Sequence, residues 1–148
     1  MLIAIGADHG GYEMREFIIR NLSDNDYTIV DCGVATPDPV DYPDIAVEVC
    51  RKVIAKDVDF GIVICGTGIG ISIAANKIRG IRAALCANEY SARMARQHNN
   101  ANVLALGGRV IGNDLAVSVV KAFLDDRFSG ADRHQRRIDK MMAFEDAD

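Results

Sequence analysis

Two hydrophobic periods alternate along the chain. Leu2-Ile3-Ala4-Ile5-Gly6-Ala7 is an unbroken apolar run, too short for a helix and followed at once by polar residues and glycines, which predicts a buried parallel strand. Four more short runs share this character: Tyr27–Cys32, Phe60–Ile64, Arg82–Cys86 and Asn102–Leu106. Between them the apolar positions fall three and four apart. Met14, Phe17, Ile18 and Leu22 make one face of a helix over Tyr12–Leu22. Ile45, Val49 and Val53 do the same over Ile45–Lys56, and Val119, Val120 and Phe123 over Leu115–Leu124. The small residues of Ile71–Lys77 are helix-compatible. Asn88 is an expected N-cap for a helix that opens at Glu89-Tyr90-Ser91 and runs through Ala92, Met94 and Ala95 to Asn100. A polar connection, Asp125 to Asp132, leads to a last helical segment at Arg133–Ile138.

Strands alternating with helices predict an α/β fold: one doubly wound, Rossmann-like sheet of five parallel strands, helices on both faces, and an extra C-terminal helix. A length of 148 residues suits a single domain, 1–148, and no repeat, low-complexity segment or linker divides it. Functional side chains in such sheets gather beyond the carboxyl ends of the strands. Asp8 and His9 follow the first strand there, as ligand contacts or, alternatively, as a helix cap and an idle turn residue. After the second strand comes the loop Gly33–Asp41, with Pro37 and Pro39, and then Asp41-Tyr42-Pro43-Asp44, where a proline early in a helix is well placed. Tyr42 is expected in the loop, as a lid over substrate or as simple packing.

The third strand ends in Cys65-Gly66-Thr67-Gly68-Ile69-Gly70. Glycines free a loop to turn its backbone N–H groups toward a ligand, and a helix start adds unpaired donors. Such a strand–loop–helix unit suits an anion. Cys65 at its mouth is a candidate base or nucleophile, with a small buried core residue as the other reading. The loop is not a nucleoside-triphosphate cradle, since no Lys-Ser or Lys-Thr pair follows its last glycine.

Composition narrows the function classes. A net charge of −4 gives no nucleic-acid surface, and no apolar stretch is long enough to cross a bilayer. With no basic-then-apolar leader, the expected location is the cytoplasm. Cys32, Cys50, Cys65 and Cys86 are scattered, without C-x-x-C or histidines at metal spacing, so reduced thiols are expected and no metal site.

Together, Asp8-His9-Gly10-Gly11, Asp41-Tyr42-Pro43, the run from Cys65 to Lys77, Gln97-His98-Asn99 and Arg133-His134-Gln135-x-Arg137 resemble the ribose/galactose isomerases, in particular the type B ribose-5-phosphate isomerases. The resemblance spans nearly the whole chain. It implies interconversion of ribose 5-phosphate and ribulose 5-phosphate through an enediolate, without metal or organic cofactor, by a homodimer that can pair into a tetramer. It also implies roles. Cys65 resembles the base, the backbone of Gly66, Thr67, Gly68, Ile69 and Gly70 the cradle for the enediolate oxygen, and Thr67 a support. His98 resembles the acid/base that opens the furanose ring, with Asn99 and Asp8 as oxygen contacts. His9, Arg133 and Arg137 resemble the phosphate grip, with Arg109 near it. Some relatives carry a glutamate base just after the loop; here that position is Ile71.

Elementary chemistry agrees with those roles. Aldose–ketose isomerisation needs a base near the carbon acid and donors aimed at the oxygen that gains charge. Arg133 and Arg137, four apart, lie on one helix face and can converge on a phosphate, although a charge run is also commonly a solvated face. Residues 88–98 start at the carboxyl edge of the sheet and run back about 16 Å at 1.5 Å per residue, so His98 and Asn99 end far from their own Cys65. Action on one substrate therefore requires sites shared between subunits. The arginine helix follows a connection long enough to reach either end. Two alternatives remain: an isomerase of a six-carbon sugar phosphate such as galactose or allose 6-phosphate, and a non-catalytic nucleotide or flavin module, against which stands the absence of G-x-G-x-x-G.

Overall fold

The structure is a computed structural model that describes residues 1–22 and 27–146. In chain order the elements are β1 (Leu2–Ala7), α1 (Tyr12–Leu22), β2 (Thr28–Asp31), α2 (Tyr42–Ala55), β3 (Phe60–Cys65), α3 (Ile69–Ala75), β4 (Ala83–Leu85), α4 (Glu89–Asn99), β5 (Val103–Gly107), α5 (Asn113–Leu124) and α6 (Asp132–Met142), closed by a 3-10 turn at Ala143–Asp146. All four strand pairings are parallel, in the order β2-β1-β3-β5-β4. The chain order reverses between β1 and β3, which opens a crevice beyond their carboxyl ends.

Alternation along the strands separates the two cores. Ile3, Ile5, Ile62, Ile64, Leu104 and Leu106 face Met14, Ile18 and Leu22 of α1, Ala92 and Ala95 of α4, and Val119, Val120 and Phe123 of α5. Ala4, Val63, Cys65, Val103 and Ala105 face Ile45, Val49 and Val53 of α2 with Ile71 and Ala75 of α3. Each fully buried Leu or Ile contributes about 1.5–3 kcal/mol by leaving water. Helix α6 stands outside these layers: it packs on α4 and buries only His134 and Ile138.

Several boundaries differ from the sequence reading. β2 and β4 are shorter than expected; both are edge strands with one neighbour, and their residues are half-buried or exposed. Tyr42 is not in a loop. It opens α2, three residues earlier than the apolar periodicity indicates, after the extended Asp41 and with Pro43 in the first turn. Similarly α3 begins at Ile69 rather than Ile71, because Gly68, at φ 75°, makes the left-handed turn into it. Asn88 caps α4 as expected, accepting the Ser91 N–H at 2.8 Å. In α1 the residue that joins the apolar stripe is Arg15, not Phe17, which is half-buried. Its guanidinium lies over the Tyr12 ring, pairs with Glu16 at 2.7 Å and donates to the Val34 carbonyl at 2.9 Å, tying down the loop after β2.

Candidate active site

Because β1, β3 and β5 are neighbours, the turns that follow them meet. A Cβ built on Gly10 would lie 2.8 Å from Gly66 N, and one on Gly108 would lie 2.5 Å from Gly10 O, so these turns touch backbone to backbone. Gly108 N–H donates to Cys65 O and Arg109 N–H to Gly66 O, both at 2.9 Å. Within this floor, the Gly68 N–H donates to Cys65 Sγ at 3.1 Å, and the Ile69 N–H to Thr67 Oγ1 at 3.2 Å. Cys65 is only 4% exposed. Helix α3 has just two turns, so the local donors of the loop weigh more here than a long helix dipole.

Four side chains surround the floor. Asp8 is buried and its Oδ1 accepts the Gly10 N–H at 2.8 Å, which shapes its own turn and leaves α1 uncapped by it. His9 is exposed and, with Arg109, Tyr12, Pro37 and Asn113, lines a cavity of about 360 Å³. The Arg109 guanidinium lies against Gly66, where a Cβ would come within 3.3 Å of its Nη1. The Tyr42 ring covers Gly70: a Cβ there would be 2.7 Å from Tyr42 Cζ. Asp8, His9, Tyr42, Cys65, Gly66–Gly70 and Arg109 are thus brought together at the carboxyl edge.

The remaining candidates gather at the opposite end of the sheet. α4 begins after β4 and its eleven residues end before β5, so His98 and Asn99 sit in its last turn at the amino edge, about 16 Å along the axis from its start. Asn99 is exposed and its carbonyl accepts Arg82 Nε–H at 3.1 Å. The rings of His98 and His134 stack with centroids 4.3 Å apart. α6 therefore ties its exposed arginines, Arg133 and Arg137, to the His98 end, a choice the length of the connection left open. Burial, then the charges of His98, Arg133 and Arg137, hold the His134 pKa below its ordinary 6.5. His134 was visible in the sequence as part of a basic run. What marks it out is that Ile138, one turn on, shares its buried face.

The thiols divide by environment. Burial alone pushes Cys50 up to about 12 and Cys86 up to about 11, which keeps both protonated and inert. Cys32 is also raised, by burial first. All four cysteines are free. Among the described residues, no group of three His, Cys, Asp or Glu side chains could hold a metal ion, and no helix is long and apolar enough to cross a membrane.

The chain is similar to known proteins over nearly its whole length. Ribose-5-phosphate isomerase B of Escherichia coli is 46% identical over 143 residues, covering 97% of this chain and 95% of that one. The structure of Clostridium thermocellum ribose-5-phosphate isomerase B superposes with a TM-score of 0.96 at 50% identity, covering 99% of this chain and 98% of that chain. That of ribose-5-phosphate isomerase B from Mycoplasma genitalium with bound ribulose-5-phosphate gives 0.93 at 43% identity, covering 99% and 97%. The profile of the Ribose/Galactose Isomerase family matches residues 3–141, and with likeness over nearly its whole length the chain belongs to that family.

Proposed function

We propose that this chain, as one domain over residues 1–148, interconverts ribose 5-phosphate and ribulose 5-phosphate in the cytoplasm, without metal or organic cofactor. Cys65 as thiolate takes the proton from C2 of the open aldose, and the electron pair moves onto the carbonyl oxygen to give a cis-enediolate. The hydroxyl proton on O2 then passes to O1, which moves the negative charge to the C2 oxygen; that electron pair closes to the ketone as the thiol returns its proton to C1. Donors in the Gly66–Gly70 backbone stabilise the oxygen that carries charge at each stage, with Thr67 supporting the loop and Asp8 and Tyr42 beside the sugar. The observation that carries this reading is the Cys65 sulfur held at the mouth of the glycine floor by the Gly68 N–H.

His98 opens the furanose ring, Asn99 contacts a sugar oxygen, and His9, Arg133 and Arg137 grip the phosphate, with Arg109 nearby. The separation of His98, Asn99, Arg133 and Arg137 from Cys65 within one chain supports a homodimer in which each site draws on both subunits, and such dimers can pair into a tetramer. Exposed apolar side chains beside the glycine floor, Ile69, Ile73 and Leu85, support a subunit contact there.

A coupled assay on ribose 5-phosphate beside galactose and allose 6-phosphate tests the reading. The expected order places the pentose phosphate first. A clear preference for a six-carbon substrate, which the family's breadth allows, reassigns the specificity while keeping the chemistry.

A further inference from the structure

His134 has no role in the reading above, yet it is the most firmly held side chain on α6. It is 5% exposed, while Arg133, Gln135, Arg136 and Arg137 around it are exposed. Ser129 Oγ lies 2.8 Å from its Nδ1, and the same oxygen accepts the Ala131 N–H at 3.3 Å. The hydroxyl thus bridges the His134 ring to the backbone just before α6. Ser129 is itself anchored, its N–H donating at 3.0 Å to the carbonyl of Gln97, the residue before His98. The second face of the His134 ring system is His98, stacked at 4.3 Å with the planes inclined by 40°.

We propose that His134, fixed by Ser129, is a positioning residue for His98: it holds the His98 ring at a set place relative to Arg133 and Arg137. Two imidazoles this close share at most one proton at modest pH, because the second charge meets the first. The groups that act on His134 are His98 from α4 and Arg133 and Arg137 from its own helix, and each opposes a charge there; Ser129 is neutral. Arg133 is the neighbour of His134 and Arg137 lies one turn on, so the same anchored ring also spaces the phosphate grip from the ring-opening acid. This inference rests on His98 being that acid.

The chain has three histidines, so each imidazole signal can be assigned by removing one at a time and followed by NMR against pH. The experiment compares wild type, Ser129→Ala, Ser129→Thr, His134→Phe and His98→Asn, with kcat/KM on ribose 5-phosphate measured across the same pH range. On acidification His134 is expected to stay neutral below its ordinary 6.5. Ser129→Ala frees the His134 ring to turn, so kcat/KM is expected to fall about tenfold at unchanged melting temperature, with Ser129→Thr restoring it. In His134→Phe, which keeps a ring but loses its tie to Ser129, kcat/KM is expected to fall as in Ser129→Ala. Protonation of His134 at or above 6.5, or wild-type kcat/KM in Ser129→Ala, overturns the proposal. His98→Asn separates the two claims: if it stays fully active, the ring-opening assignment fails; if it is inactive while Ser129→Ala behaves as wild type, only the positioning role fails.

Discussion

The sulfur of Cys65 receives the Gly68 N–H at 3.1 Å, so the loop that follows β3 folds back onto the last side chain of that strand. A serine there keeps the shape but supplies a far weaker acid, hence almost no base at neutral pH. Cys65→Ser is expected to lower kcat by at least about 100-fold, the lower end of general-base effects. Circular dichroism and the melting temperature are expected to match wild type. An unchanged turnover number would remove Cys65 from the proton transfer.

Arg137 is exposed on α6 and adds nothing to either core. Arg137→Ala is therefore expected to leave the melting temperature in place while raising KM for the phosphorylated sugar by about tenfold, the loss of one charge-assisted contact. Steady-state kinetics at fixed ionic strength check this, and an unchanged kcat/KM would return the arginine to the solvated face.

Tyr42 and Gly70 depend on each other. An alanine at Gly70 meets the Tyr42 ring at 2.7 Å, but the ring is 39% exposed and free to swing away. Gly70→Ala is expected to cost less than about 1 kcal/mol in stability, and Tyr42→Ala in the same background is expected to remove that cost. A double-mutant cycle from urea titrations measures the coupling. Strict additivity would mean that the ring does not rest on Gly70.

Shared sites can be tested by mixing. Cys65→Ala and His98→Ala subunits, denatured together and refolded, form about half mixed dimers by random pairing. Each mixed dimer holds one complete site of two, so about a quarter of wild-type activity is expected to return. Efficient mixing with no recovered activity would count against sites built across subunits.

Stability is expected to fall on mild acidification. The fold holds His134 neutral below its ordinary pKa of 6.5, whereas the unfolded chain takes up the proton near that value. Above pH 6.5 neither state is protonated there and the contribution is complete. As pH falls through 6.5 toward the folded pKa, the unfolded state binds a proton that the native state refuses, and stability declines. Thermal melts from about pH 7.5 down to about pH 5.5 in wild type and His134→Phe test it, the variant showing the flatter curve; the chain's carboxylates titrate mainly below this window.

How much of this was legible follows from what each residue depends on. Ile3, Ile62 and Leu104 read as strand because both faces of a parallel sheet are apolar, whichever neighbours they have. The same pattern says nothing about order, so the adjacency of β3 and β5, which brings Arg109 beside Gly66, was not visible. Boundaries set by backbone turns escaped too: periodicity begins at Ile45, but Asp41 and Pro43 start the helix at Tyr42. Arg15 reads as a surface residue because, Tyr12 and Glu16 apart, its partners Asp31 and Val34 lie at the end of β2 and in the loop after it, distant in sequence. Among the candidate residues, Cys65 and the glycines were legible since their chemistry is local. His134 was not, because its meaning lies in a stack with a residue 36 positions earlier.

The floor beneath the substrate is made of backbone where Gly10, Gly66 and Gly108 touch, with Gly68 turned left-handed beside them. Such a surface has few neutral neighbours in sequence space: a Cβ at Gly10, Gly68 or Gly108 comes within 2.8 Å of neighbouring backbone, so selection cannot adjust it in small steps. The walls are different, since Pro37, Tyr42 and Arg109 present side chains rather than backbone. Under the proposed chemistry, a change between pentose and hexose phosphates falls to these walls, because the floor has no side chain to alter.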